Sequence, residues 1–207
     1  MYSTNDNIMV SFLPLVHADT RVLILGSFPG KLSLERNEYY GNPKNHFWEL
    51  VFSFLEVSLP INYQEKLDIL EKNRIGLWDI VASCSREGSS DSAISNPTFN
   101  TLCKLFADTV SLKTVLCNGS TSFRLACKSC EHKYPVTKTI YTHNKTSIVY
   151  EAFVCEQYGT LFLRLPSTSP IPTRRYKTRN DKTTSSIQSI ITLCFIKTSS
   201  SIIIHYI

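Results

Sequence analysis

The stretch Arg21-Val-Leu-Ile-Leu-Gly-Ser-Phe-Pro-Gly30 decides the fold of this chain. Arg21 is followed by four aliphatic residues that end at Gly26, a pattern typical of a strand buried on both faces of a sheet. The turn that follows, Gly26-Ser-Phe-Pro-Gly30, lacks the Lys-Ser/Thr ending of a P-loop and the third glycine of a dinucleotide fingerprint. The sequence therefore predicts a central strand with a ligand-facing turn and argues against a nucleotide cofactor.

Strand and helix patterns alternate along the rest of the chain, which is typical of an α/β sheet with helices on both faces. Further strands are predicted at 75–81, 113–117 and 159–165, with one or two more strands or a hairpin within 132–158. Helices are predicted at 47–55, 63–73, 99–107, 120–128 and 181–195, with Ser120 as an N-cap. We expect a three-layer α/β/α sandwich around a short, mainly parallel central sheet.

The length of 207 residues predicts a single domain over 1–207, with a core of about 20–195 and an irregular tail at 196–207. No stretch reaches the ~18 apolar residues of a membrane span, and the N-terminus lacks a signal-peptide pattern. We expect a monomer in the cytoplasm, or in the nucleus of a eukaryote, that is not secreted and has no membrane partner.

The cysteines predict a reduced protein without a metal. Their number, seven, is odd, and they are spread without a disulfide framework. Cys127-Lys-Ser-Cys130, with His132 close by, has no second ligand pair at zinc spacing. We read the pair as small apolar residues at a helix end.

The charge of the chain favours an anionic partner. The net charge is +5, with a sequence pI of about 8.8, and counterion release favours binding of such a chain to nucleic acid. A basic run contains Arg174, Arg175 and Lys177. We predict that these three side chains follow a DNA backbone, although a solvated charged face would look the same.

Turn motifs stand at the ends of four predicted strands. In an open α/β sheet, ligands bind outside the carboxyl ends of the strands. Those ends carry Gly26–Gly30, Trp78-Asp79, Asn118-Gly119 and Leu165-Pro-Ser-Thr-Ser-Pro170. The sequence therefore predicts one cleft at this edge of the sheet.

The motifs as a set resemble those of a known family. Gly26–Gly30, with Tyr39-Tyr-Gly41, Pro43-Lys-Asn45 and Phe47-Trp48, is similar to the mismatch-specific branch of the uracil-DNA glycosylases. With three further motifs, the chain resembles the hypoxanthine-DNA (deoxyinosine) glycosylases more closely; these motifs are Gly76-Leu-Trp-Asp79, Asp91-Ser-Ala-Ile94 and Leu165–Pro170. The resemblance implies hydrolysis of the N-glycosidic bond of a deaminated base in DNA, with hypoxanthine preferred and no metal or cofactor.

The resemblance also implies catalytic roles. Phe28 stands where uracil-processing relatives have the Asn or Asp that positions water, and a phenyl ring cannot do so. Asn45 is the best substitute, because an amide can orient water or bind a purine edge; it could also be an N-cap. Asp79, with Asp91 second, could steady a developing positive charge or bond to loop backbone.

Substrate-binding roles fall on the same motifs. Tyr40 stands where relatives place the aromatic that stacks on the flipped base, although a partly buried core tyrosine would fit too. Leu165 replaces the His or Asn that begins the second superfamily motif. The hydroxyl groups of the serine and threonine residues in the motif remain for phosphate contacts. We expect the following residues to bind the flipped nucleotide: Ser27, Phe28, Pro29, Gly30, Tyr40, Asn118, Ser167, Thr168 and Ser169. Ile171 is a candidate wedge.

Three rival functions stay open. The first is excision of uracil or of a mismatched base. The second is a catalytically inactive DNA-binding relative, which the losses at Phe28 and Leu165 suggest. The third is a nucleotide-binding α/β protein unrelated to repair, which the missing phosphate loop disfavours.

Overall fold

The computed structural model describes residues 8–130, 137–143 and 146–170, with the backbone alone at 137–143 and 146–150. The strands are β1 Ile8–Val10, β2 Val22–Gly26, β3 Ile75–Asp79, β4 Val81–Arg86, β5 Ile94–Phe99, β6 Thr114–Asn118, β7 Thr137–His143, β8 Thr146–Cys155 and β9 Thr160–Leu165. The helices are α1 Lys31–Arg36, α2 Phe47–Phe54, α3 Tyr63–Lys72, α4 Leu102–Asp108 and α5 Ser120–Ser129.

The main sheet has six strands in the order β3-β2-β6-β9-β8-β7. The first four are parallel to one another, whereas β8 and β7 form an antiparallel hairpin that continues the sheet from β9. The prediction of a mainly parallel sheet is confirmed, and so is the expected hairpin between 132 and 158. The four parallel strands place their carboxyl ends at one edge.

Successive residues of β2 pack on opposite faces of the sheet, as the two-residue period of a strand requires. Leu23 and Leu25 belong to a buried cluster with Leu105 of α4 and Phe123 of α5. Val22 and Ile24 belong to the other cluster, whose helical members come from α2 and α3. The three-layer α/β/α arrangement is therefore confirmed: an apolar layer covers each face.

A second sheet, with the order β1-β4-β5, was not predicted. The single strand expected at 75–81 is wrong, because the chain changes sheets at Ile80. Its amide donates to the Gly26 carbonyl at 3.0 Å, and β4 then pairs with β5. Phe99 pairs with Val81 in this sheet, so the helix expected from residue 99 begins only at Leu102. A continuous apolar run does not reveal such a change of partner.

Two further predictions need comment. Ser120 is the first residue of α5 rather than its N-cap, which is Gly119 with φ of 110°. A residue with a Cβ atom is strained at that angle. Glycine has none, so it lets the chain turn into α5. The predicted helix at 181–195 and the tail at 196–207 lie outside the described residues, and the single domain over the whole chain stays a prediction.

Candidate active site

Four strand ends form one row across the parallel sheet. Gly26 pairs in register with Asp79, and Asn118 pairs with Leu165. Leu25 pairs with Cys117, so the next residues, Gly26 and Asn118, follow at the same level. The strand period directs all four toward the face that α2 covers. The structure thus brings together the four ends that were predicted to form one cleft.

Asp79 is the charged member of this row. Its residue exposure is 5%, and a Cβ on Gly26 would overlap its Oδ1 atom, so the carboxyl lies across the glycine. Its Oδ2 is buried and has no hydrogen-bond partner in the described part of the chain. Burial and then the charge of Asp91 raise the pKa of Asp79 to about 7, against the opposing charge of Arg86. Near neutral pH the carboxyl group is therefore present in both its protonated and its ionised form.

The Gly26–Gly30 loop is fixed by the segment that follows β4. Ser27 Oγ donates a hydrogen bond to Asp91 Oδ1 at 2.7 Å. Arg86 Nη2 donates to the Pro29 carbonyl. Gly30 is the N-cap of α1. The small sheet, which carries Arg86 at the end of β4, is thus the support that shapes this loop.

Phe28 and Arg86 form a second part of that support. The Phe28 ring is 6% exposed and packs in the core cluster of the α4 and α5 face. The Arg86 guanidinium carbon lies 4.9 Å from the ring centroid, within the range of a cation–π contact. Arg86 Nε and Nη1 are buried and have no partner among the described residues. Burial lowers the pKa of Arg86, although Cys84, Asp91 and Asp79 act in the opposite direction.

Tyr40 is held from two sides. Its backbone is left-handed, with φ of 54°, and its ring stacks on Phe47 with centroids 3.6 Å apart and planes 11° apart. Trp48 meets the ring edge-on at 6.4 Å. Asn118 Nδ2 donates to the Tyr40 hydroxyl at 3.1 Å. Burial, and then the charge of Asp79, raise the pKa of Tyr40. The ring is therefore a rigid, half-buried platform beside the strand-end row.

Asn118 joins the row to the second motif. Its Nδ2 also donates to Thr168 Oγ1 at 2.9 Å, and its Oδ1 accepts from the Thr168 amide at 3.0 Å. The Thr168 carbonyl accepts from the His46 amide at 3.1 Å, just before α2. A Cβ on Gly119 would lie 3.2 Å from the Cβ of Ser167, so the two turns pack closely. One amide side chain thus fixes β6, the second motif and Tyr40 together.

The N-cap of α2 is His46, so the alternative prediction of an N-cap role is wrong for its neighbour Asn45. Its Oδ1 accepts from the Phe47 amide at 3.0 Å, at the start of α2. Its Nδ2 donates no hydrogen bond to any residue that the structure describes. The amide nitrogen is thus the end of the side chain that no described residue engages, while Oδ1 keeps one further lone pair.

His46 and Arg86 border the site and were missed by sequence reasoning. The Nδ1 of His46 pairs with Glu49 Oε2 at 3.2 Å. The signal for His46 was its place between the motif residues Asn45 and Phe47. Nothing in the sequence pointed to Arg86, because it comes from a strand that was not predicted.

Two clusters make up the site. The acid cluster consists of Gly26, Ser27, Asp79, Arg86 and Asp91, and the amide cluster consists of Tyr40, Asn45, His46, Asn118 and Thr168. They meet at Tyr40, on which the charge of Asp79 acts.

In the second motif, the Ser169 amide donates to Ser167 Oγ at 3.2 Å. Four residues that were predicted to contact DNA lie outside the described residues. They are Arg174, Arg175 and Lys177, predicted to follow the DNA backbone, and the candidate wedge Ile171.

The residues that the structure describes offer neither a metal site nor a membrane-spanning helix. They contain no group of three His, Cys, Asp or Glu side chains placed to hold a metal ion. None of their helices has the length and apolar character needed to cross a membrane.

Comparison with known proteins identifies the family. The model of the uracil DNA glycosylase superfamily matches residues 13–190. A hypoxanthine DNA glycosylase from Methanosarcina barkeri (strain Fusaro / DSM 804) is 42% identical over 112 residues, which are 54% of this chain and 71% of the relative. A second, from Methanosarcina acetivorans, is 40% identical over 109 residues, which are 52% of this chain and 69% of the relative.

A solved structure agrees with this identification. It is a solution NMR structure of a candidate uracil DNA glycosylase from Methanosarcina acetivorans, and it superposes with a TM-score of 0.67 at 28% identity. The match covers 91% of this chain and 99% of that one. The chain therefore belongs to the uracil-DNA glycosylase superfamily.

Proposed function

We propose that this chain is a monofunctional DNA glycosylase that hydrolyses the N-glycosidic bond of a deaminated base, hypoxanthine in the first place. The observation that carries the proposal is the strand-end row, in which Asp79 and Asn118 flank Gly26 beside the Tyr40 ring. The relatives from the two Methanosarcina species, both named hypoxanthine DNA glycosylase, support the choice of base.

The flipped nucleotide would enter between the two clusters. A glycosylase extrudes its target from the duplex, which costs a few kcal/mol, and recovers that energy by stacking and by hydrogen bonds to the base edge. Tyr40 supplies the stacking surface. Asp79 supplies the free carboxyl oxygen for the base edge, whereas Asn118, whose two amide hydrogens go to Tyr40 and Thr168, offers only a remaining lone pair of Oδ1. Ser27, Pro29 and Gly30 would form the wall on the other side, with Phe28 buried behind them.

Catalysis would combine positioning with electrostatics and would use no metal or cofactor. The bond to C1′ breaks with the build-up of positive charge on the sugar, which fixed negative charge stabilises. Asp79 in its ionised form supplies that charge. Asn45 Nδ2, the end of the amide that does not cap α2, would hold the attacking water or a base acceptor.

The backbone of the damaged strand would lie along the second motif. Thr168 is 7% exposed and bonded to Asn118, so it positions the motif. We assign the phosphate contacts to its neighbours Ser167 and Ser169. The basic side chains beyond, Arg174, Arg175 and Lys177, would follow the strand. A monomeric state and a cytoplasmic or nuclear location belong to the same proposal.

The test is base release from labelled duplexes that contain one hypoxanthine, one uracil, one xanthine or no lesion, followed by alkali to reveal abasic sites. We expect release of hypoxanthine, and a large loss of rate in Asn45→Ala. The matched variant Asn45→Asp keeps a capping oxygen and removes the amide donor, so a rate loss in Asn45→Asp would assign the role to Nδ2.

Two outcomes would favour the rivals. Release of uracil alone would keep the enzyme class and change the base. A folded protein that binds DNA and releases no base would be an inactive relative. This is the second candidate function, because Phe28 and Leu165 stand at positions where relatives have catalytic residues.

A further inference from the structure

Resting on the proposed function, we propose that Asp79 is a general acid that delivers a proton to N7 of the departing purine. The proposal assigns the leaving-group role in this chain to a side chain of the first half of the site. It also makes that role specific to purines, since a pyrimidine has no N7.

The carboxyl group of Asp79 is placed where a ligand of the strand-end row would meet it. Asp79 ends β3, and its side chain lies across Gly26, which is flanked on the other side by Asn118. Its Oδ2 is buried without a partner in the described part of the chain. A buried polar atom without a partner is costly and rare in native proteins. The row therefore has one unsatisfied oxygen atom, Asp79 Oδ2, to which a bound ligand would form a hydrogen bond.

Opposing charges act on this carboxyl group. The negative charge of Asp91 favours the protonated form, and the Arg86 guanidinium opposes it. The charge of Asp79 also acts on Tyr39 and Tyr40, in the loop before α2, and both keep their protons because burial, and then Asp79, raise their pKa values. With burial as the largest cause, the pKa of Asp79 rises to about 7. A carboxyl group in this state holds a proton that it can transfer near neutral pH.

The usual place of a rival acid is apolar in this chain. Leu165, which is 7% exposed, stands where the family resemblance expects a His or Asn to stabilise the leaving group. An apolar side chain cannot do so. Asp79 is the only buried carboxyl group among the residues that the structure describes. It lies at the opposite end of the same row from Leu165, so it would act on the base from the other side of the cleft.

The chemical step balances without a further reactant. The Asp79 O–H bond breaks as the N7–H bond forms, and the electron pair of the C1′–N9 bond moves into the purine, which leaves as neutral hypoxanthine. Water adds to C1′ and gives up one proton, which the Asp79 carboxylate takes. The ionised carboxylate meanwhile faces the cationic sugar, so the same group would serve both halves of the reaction.

The test is a two-by-two comparison of single-turnover release. Wild type and Asp79→Asn are compared on duplexes with hypoxanthine or with 7-deazahypoxanthine, which has carbon in place of N7. We expect Asp79→Asn to slow hypoxanthine release about 100-fold or more, the range of general acid catalysis. The same substitution should slow release of the 7-deaza base much less, because that base cannot accept the proton and is affected only by loss of the carboxylate charge near the sugar.

The pH profile gives an independent measurement. Wild-type release of hypoxanthine should fall about tenfold per pH unit above the pKa of an obligatory acid. Asp91→Asn removes the negative charge that favours the proton on Asp79 and keeps an oxygen for Ser27, so the decline should begin at lower pH. If the decline disappears in His46→Gln instead, the proton comes from His46 and the inference is overturned.

The remaining outcomes separate the two proposals. Equal slowing of both bases in Asp79→Asn would make Asp79 a positioning residue and overturn the inference, as would full activity of that variant on hypoxanthine. Absence of hypoxanthine release by wild type at every pH would overturn the proposed function itself. Circular dichroism of each variant checks that the comparison is made between folded proteins.

Discussion

Gly26 and Asp79 lie opposite each other in adjacent parallel strands, and the Asp79 carboxyl occupies the space that a side chain on Gly26 would need. Gly26→Ala should therefore push the carboxyl out of the row. We expect a loss of about 1–3 kcal/mol in the free energy of unfolding, typical of overpacking, together with a lower rate of base release. Urea unfolding measures the first and single-turnover kinetics the second.

The control for this prediction is Gly30→Ala in the same loop. A Cβ there would lie 3.8 Å from Ser89 Oγ, which is ordinary contact, so the unfolding free energy should change less. Equal stability of wild type and Gly26→Ala would show that the carboxyl does not depend on the empty space at Gly26.

Asp79 should destabilise the fold at neutral and alkaline pH. Its pKa is raised from 3.8 to about 7, so between these values the folded chain binds more protons than the unfolded chain. Stability then falls as pH rises through this window, and the loss is complete above about pH 7. Asp79→Asn should be more stable than wild type at pH 8, by up to about 4 kcal/mol, and nearly equal to it at pH 4.

Urea unfolding at the two pH values measures this difference. Asp108→Asn, at an exposed position at the end of α4, makes the same change of charge and is the matched control. A loss of stability in Asp79→Asn at pH 8 would contradict the raised pKa.

Asn118 should be worth several hydrogen bonds at once. Asn118→Ala removes its bonds to the Tyr40 hydroxyl, to Thr168 Oγ1 and to the Thr168 amide, and leaves buried groups unpaired. We expect a cost of about 2–4 kcal/mol in unfolding free energy. A double-mutant cycle with Thr168→Val should give a coupling of at least about 0.5 kcal/mol. Strict additivity of the two substitutions would show that the contact contributes nothing.

Asn45 should have a stabilising role that can be separated from its chemistry. Because Oδ1 caps the Phe47 amide, Asn45→Ala should lower the unfolding free energy by about 1 kcal/mol. Asn45→Ser keeps a capping oxygen and should lose much less. If Asn45→Ser is stable yet inactive, cap and catalysis are distinct. Activity equal to wild type in Asn45→Ser would remove Asn45 from the mechanism.

The sequence predicted the elements whose signal is local. The strand before Gly26 was visible as an aliphatic run, and the turn motifs at four strand ends placed the cleft, because parallel strands end at one edge. The small sheet was not visible, since the apolar run of β3 continues into the start of β4. The change of partner is marked by backbone hydrogen bonds, from Ile80 to Gly26 and from Val81 to Ser27, which a residue pattern does not contain. Arg86 was missed for the same reason.

The site shows the same division. Asp79 was chosen from its motif, but its raised pKa depends on burial and on Asp91, which a residue pattern does not contain. Asn45 was given two roles, and the choice between an engaged oxygen and an unengaged nitrogen needed the position of the Phe47 amide. Residue types were predictable, whereas the atoms in contact were not.

The contact between Phe28 and Arg86 restricts how this chain could evolve. In the uracil-processing relatives that the motif resembles, Asn or Asp occupies the position of Phe28. A reversion Phe28→Asn would remove the ring beneath the guanidinium, whose Nε and Nη1 are already buried without partners. We therefore expect epistasis between the two positions, such that exchange at 28 becomes tolerable only after, or together with, a change at 86. We therefore expect a single exchange to the uracil-type residue to damage the loop, so packing alone would hold phenylalanine at position 28.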